Sequence, residues 1–183
     1  MSRAVSNQAP AAFFSSLLDA RGLMSVPPFR GRLFAVVFAS GQEDISYCLK
    51  MPPVRTLIVE DHEEFRNFLR LTLQKEAQYV VIGEVVDGMQ AVEKAEELQP
   101  DLILLDLSLP KLNGMEALRR IRKVSPHSKL VILSQDSSPD VVRGALRLGA
   151  VGYLLKSDAN NLPLALDAVV QGTVFVSPRL KSS

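Results

Sequence analysis

Asp101-Leu102-Ile103-Leu104-Leu105-Asp106-Leu107-Ser108-Leu109-Pro110 is the stretch on which the reading of the fold turns. Its aliphatic run, Leu102–Leu105, has the length and composition of a strand buried on both faces. Similar runs stand at Val54–Val59, Tyr79–Val86, Leu130–Leu133 and Val151–Leu155. Between them the apolar residues change period. Phe65, Phe68, Leu69 and Leu73 mark one helical stripe, and Met89, Val92, Ala95 and Leu98 a second. Met115, Leu118, Ile121 and Val124 mark a third, and Val141, Val142, Ala145 and Leu148 a fourth. Leu162, Ala165, Leu166 and Val169 complete the set, with Pro163 tolerable only in a first turn. Five strands alternating with five helices predict a doubly wound α/β fold, because parallel neighbours need helical crossovers and those are right-handed.

In such a sheet the chemistry sits beyond the carboxyl ends of the strands. Glu60 and Asp61 follow the first run, Asp106 the third, Ser134 the fourth and Lys156 the fifth. Any one of them reads equally well as a turn or capping residue, and for Ser134 alone that is the better reading. Five at matching strand ends are poorly explained by chance. Three carboxylates in one cleft repel, since two unit charges about 4 Å apart interact by about 4 kcal/mol at an effective dielectric near 20. A hard divalent cation relieves this, and Mg²⁺ suits a site with few carboxylates, several waters and a phosphate. Lys156 adds a further positive charge. The set fits phosphoryl transfer, in which cations stand where charge builds on the equatorial oxygens and a carboxylate such as Asp106 serves as nucleophile.

Composition narrows the alternatives. Of 183 residues, 47% are apolar and 22% charged, so a packed interior is expected, and a net charge of +1 gives no electrostatic case for nucleic acid. Cys48 is the only cysteine, which excludes an intrachain disulfide and a structural thiolate zinc site and fits a reducing cytoplasm. The longest apolar run, Leu33–Ala39, is far short of the roughly 18 residues of a membrane span, so no membrane insertion is expected. Gly83 and Gly88 form no nucleotide-binding loop. His62, beside the acidic pair, reads as a surface residue opening a helix rather than as a ligand, since a hard cation prefers oxygen.

The motifs Leu57-Ile58-Val59-Glu60-Asp61-His62, Leu104-Leu105-Asp106, Asn113-Gly114, Val131-Ile132-Leu133-Ser134 and Gly152-Tyr153-Leu154-Leu155-Lys156 resemble the receiver domains of two-component response regulators over about residues 54–176. The resemblance implies a flavodoxin-like five-stranded sheet of order 2-1-3-4-5. It further implies phosphorylation of Asp106 by a sensor histidine kinase, with Mg²⁺ held by Glu60, Asp61, Asp106 and the Ser108 backbone carbonyl. Ser134 would bond the phosphoryl oxygen, Lys156 would pair with it, and Tyr153 would be the aromatic switch, although by itself it reads as a half-buried tyrosine. The output face would comprise the helix from about Ser138, the strand at 151–155 and the last helix, serving a homodimer or a downstream protein. Such a domain gains and slowly loses a phosphoryl group without being a turnover enzyme.

Lys156-Ser157 and the late Gly172-Thr173-Val174-Phe175-Val176-Ser177-Pro178 are similar to receivers of the LuxR type, which precede a helix-turn-helix module. The sequence stops at Ser183, before any such module, so direct DNA binding is not expected of it. Residues 51–177 are expected to form the receiver and 178–183 a short tail. Residues 1–50 read as a poorly ordered extension, consistent with a misassigned start ahead of Met51, with Leu33–Ala39 as a docked strand or helix the alternative. Two rivals remain. A phosphoaspartate hydrolase would need a second acid where Ser108 stands, and a non-phosphorylated flavodoxin-like binding module gives no reason for Asp61, Asp106 and Lys156 at three strand ends.

Overall fold

The computed structural model describes residues 52–180; the expectations for residues 1–50 and for Leu33–Ala39 lie outside them. The first three strands are β1 (Val54–Val59), β2 (Tyr79–Val85) and β3 (Leu102–Asp106), and the rest are β4 (Lys129–Ser134), β5 (Gly152–Leu155) and β6 (Phe175–Val176). Between them run α1 (Glu63–Gln74), α2 (Gly88–Leu98), α3 (Gly114–Val124), α4 (Pro139–Arg147) and α5 (Leu162–Val170). All neighbouring strands are parallel, in the order β2-β1-β3-β4-β5-β6.

Successive strand residues point to opposite faces, so each apolar run feeds two cores. Leu57, Val59, Ile103, Leu105, Ile132 and Tyr153 pack with the buried residues of α2, α3 and α4. Ile58, Leu102, Leu104, Val131, Leu133 and Leu154 pack with those of α1 and α5. The helix starts follow the sequence: Asp87 and Asn113 accept the backbone N–H groups of Gln90 and Glu116, and Pro139 and Pro163 lie in first turns.

Three expectations are corrected. The sheet has six strands among the described residues, because Phe175–Val176 adds to β5; a two-residue strand leaves no periodic signal. Second, β2 lies at the sheet edge and ends at Val85, so Val80 and Val86 are exposed where burial on both faces was expected. Third, Met89 is 42% exposed, and α2 buries Gly88, Ala91 and Ala95 instead. Helices α2 and α3 are close neighbours, and Ala91, Ala95, Ala117, Leu118 and Ile121 belong to one core.

Candidate functional site

Strand register brings the polar residues to one rim. Val59 lies opposite Leu105 and Asp106 opposite Leu133, so Glu60 follows β1 at the level of Asp106. Ser134 lies opposite Leu155, and Lys156 follows. The Lys156 Nζ donates to Glu60 Oε1 at 2.9 Å and to Asp106 Oδ2 at 2.9 Å, and stands 2.8 Å from Glu60 Oε2. Asp106 Oδ1 accepts the Ser108 N–H at 3.2 Å. Glu60 and Asp106 are wholly buried, whereas the Asp61 side chain is 29% exposed. One ligand atom from each of Glu60, Asp61, His62 and Asp106 falls within 4.8 Å of the others.

Burial raises the Glu60 carboxyl above its ordinary value; the Lys156 hydrogen bond opposes this and the Asp106 charge reinforces it. Burial would lower Lys156, but its hydrogen bonds to Glu60 and Asp106 and their charges outweigh it, so its pKa rises. Lys156 is therefore held charged between two acids, with the Phe65 ring 5.0 Å from the ammonium.

Ser134 is buried at the end of β4, and its Oγ accepts the Asp136 N–H at 3.0 Å. Tyr153 is fully buried rather than half-buried, and its hydroxyl donates to the Asp136 carbonyl at 2.7 Å. Burial pushes the phenol up, and contact with the Ser134 hydroxyl partly opposes that. His62 opens α1 and is exposed, as expected, but its Nδ1 lies 2.8 Å from Asp61 Oδ1, closer to the acids than a merely solvated residue would stand.

Several supporting residues escaped sequence reading. Asp87 is buried, caps α2 and accepts Lys111 Nζ at 2.6 Å, tying the loop after Asp106 to α2. A side chain at Gly88 would overlap the Leu112 carbonyl, and one at Gly114 the Asp106 carbonyl. Arg66 donates to the Glu60 carbonyl at 2.8 Å and to the Asp61 carbonyl at 3.3 Å. Only Asn113-Gly114 and Asp87-Gly88 carry a readable signal, an N-cap before a helix start.

The response regulator receiver domain profile matches residues 56–167. The chain belongs to the response regulator receiver family. This receiver is 37% identical over 128 residues to the transcriptional regulatory protein DegU of Brevibacillus brevis, covering 69% of this chain and 54% of DegU. It is 36% identical over 102 residues to the chemotaxis protein CheY of Thermotoga maritima, covering 56% of this chain and 84% of CheY. A crystallised LuxR-family response regulator from Aurantimonas sp. SI85-9A1 superposes with a TM-score of 0.68 at 30% identity, over 71% of this chain and 94% of that one. The receiver thus spans about half the length of DegU. Among the described residues no helix is long and apolar enough to cross a membrane.

Receivers bind Mg²⁺ in an acidic pocket, and this one has the acidic cluster. The donors fit: three carboxylates gather on one rim, and the buried Glu60 Oε2 has no directed hydrogen bond, only the Lys156 ion pair.

Proposed function

We propose that Asp106 accepts a phosphoryl group from a sensor histidine kinase, with Mg²⁺ held by Glu60, Asp61, Asp106 and the Ser108 backbone carbonyl. The observation that carries the reading is a wholly buried Asp106 whose Oδ2 is held at 2.9 Å by the Lys156 ammonium, beside the partly exposed Asp61. A carboxylate oxygen of Asp106 forms the new O–P bond as the P–N bond of a phosphohistidine breaks. The departing imidazole keeps the electron pair and is protonated from solvent. A divalent cation held by Glu60, Asp61 and Asp106 would supply charge to offset that on the transferring phosphoryl oxygens. Lys156 supplies a second positive charge, and the Ser108 N–H fixes the rotamer of Asp106.

After transfer the phosphoryl oxygens compete for Lys156 and draw in the Ser134 hydroxyl, which releases Tyr153 toward a new rotamer. That change is read on the face made by α4, β5 and α5, by a second copy or by a downstream protein. Hydrolysis of the acyl phosphate resets the domain without substrate turnover. The reading places the protein in the cytoplasm, takes residues 51–177 as the receiver unit, and gives no described residue a role in contacting DNA.

Incubation with acetyl phosphate and Mg²⁺, followed by intact-mass measurement, tests the proposal. Wild type is expected to gain one phosphoryl unit and Asp106→Asn none. Equal uptake by both, or repeated turnover of phosphate esters, would overturn it.

A further inference from the structure

We propose that Arg66 is a positioning residue for the acidic pair, setting how tightly Glu60 and Asp61 hold the divalent cation. This rests on the metal role given to that pair above. Glu60 and Asp61 flank one peptide just past the end of β1, where the carbonyls have left the ladder of strand hydrogen bonds. A carbonyl there needs another partner, and a free peptide could rotate. Arg66 meets the need from within α1: its guanidinium takes the Glu60 carbonyl at 2.8 Å and the Asp61 carbonyl at 3.3 Å. Two consecutive carbonyls held by one guanidinium nitrogen, Nη1, resist rotation of the peptide between them, and so fix the directions in which both carboxylates leave the backbone.

The guanidinium is itself held. The Arg66 side chain is 17% exposed, and its Nε stands 3.5 Å from Glu84 Oε2, next to the last residue of β2. Arg70 shares that acid at 3.4 Å and also donates to Asn67 Oδ1 at 2.6 Å, but it donates to neither carbonyl. The two arginines therefore separate two effects. Both bring positive charge to Glu84, whereas only Arg66 grips the turn carrying the acids. Groups that orient metal ligands without touching the metal are worth roughly 10-fold to 100-fold in metal affinity.

The test is a titration of the full chain with Mg²⁺, with Mn²⁺ and its paramagnetic resonance signal as a second probe. The Mg²⁺ dependence of acetyl phosphate labelling is measured in parallel. Arg66→Ala is expected to weaken cation binding by about 10-fold or more. It should raise the half-saturating Mg²⁺ by the same factor while labelling at saturating Mg²⁺ stays close to wild type. Arg66→Lys, with a single ammonium in place of Nη1 and no Nε to meet Glu84, is expected to recover part of the loss. Arg70→Ala is expected to match wild type.

Unchanged cation binding in Arg66→Ala, or an equal loss in Arg70→Ala, would overturn the inference. If Arg66→Ala does not fold, Arg66→Lys carries the test, and affinity equal to wild type in that variant overturns it. A wild-type chain that binds no divalent cation overturns the metal assignment along with this inference. Tight wild-type binding that ignores residue 66 removes this inference alone.

Discussion

Asp87 keeps a carboxylate almost wholly out of solvent by giving each oxygen a donor. Oδ1 takes the Gln90 N–H at 2.9 Å, and Oδ2 takes Gln90 Nε2 at 2.7 Å and Lys111 Nζ at 2.6 Å. The Gln90 backbone N–H, then Lys111, hold its pKa below the ordinary carboxylate value despite the cost of burial. A depressed folded value stabilises the native state above the unfolded value of about 3.9 and loses that contribution as pH falls through the folded one. Asp87→Asn keeps an acceptor but not the charge, so its stability deficit against wild type should close between about pH 4 and lower pH. Asp87→Ala also loses the cap and should cost about 0.5–2 kcal/mol at neutral pH. Urea titrations at several pH values check both; a deficit of Asp87→Asn that grows on acidification would refute the account. The strand-end acids were legible because each follows an unbroken apolar run. Arg66 and Lys111 were not, and Asp87 was legible only as an N-cap, because their longer-range contacts depend on how turns fold back.

The loop from Leu107 to Asn113 is confined between two helix starts. Gly114 N–H donates to the Leu107 carbonyl at 2.9 Å, and Lys111 takes a positive φ of 64°. A methyl at Gly114 would meet the Asp106 carbonyl and the Leu107 Cα, which are backbone atoms that cannot step aside. Ala gains up to about 1 kcal/mol over Gly as a helix former, but forced overlap costs about 1–3 kcal/mol, so the overlap wins. Gly114→Ala is therefore expected to lower stability by up to about 2 kcal/mol, the upper difference of those terms, and to slow labelling at Asp106. Gly144→Ala is the comparison, because there the nearest atom is the flexible Met115 Cε at 3.3 Å. Denaturation curves showing equal stability for the two variants would count against this reading. At this scale, among the described residues, periodicity located the five α-helices and five of the six strands. It misjudged Met89 and β2, because an apolar residue does not reveal whether its strand lies inside a sheet or at its margin.

Across the whole sheet, β6 decides which margins stay open. It pairs with β5 through Gly152–Phe175 and Tyr153–Val176, and the buried Ser177 Oγ accepts the Leu155 N–H at 2.9 Å. Arg179 then reaches Asp158 at 2.9 Å. Without this segment the apolar β5 would present an unpaired ladder, which is a template for another chain. Truncation after Gln171 is expected to lower stability and to produce concentration-dependent self-association by light scattering. A truncated protein that stays monodisperse and as stable as the full chain would contradict that. Sequence reading had the order of the first five strands from family resemblance but not the sixth, whose two residues are defined only by the neighbour they meet.

The bond between Ser177 and Leu155 has a mechanical corollary. Leu155 is joined by one peptide link to Lys156, the amine that grips Asp106. Any shift of the backbone at Lys156 would therefore be felt first at the Ser177 hydroxyl, one residue before Pro178.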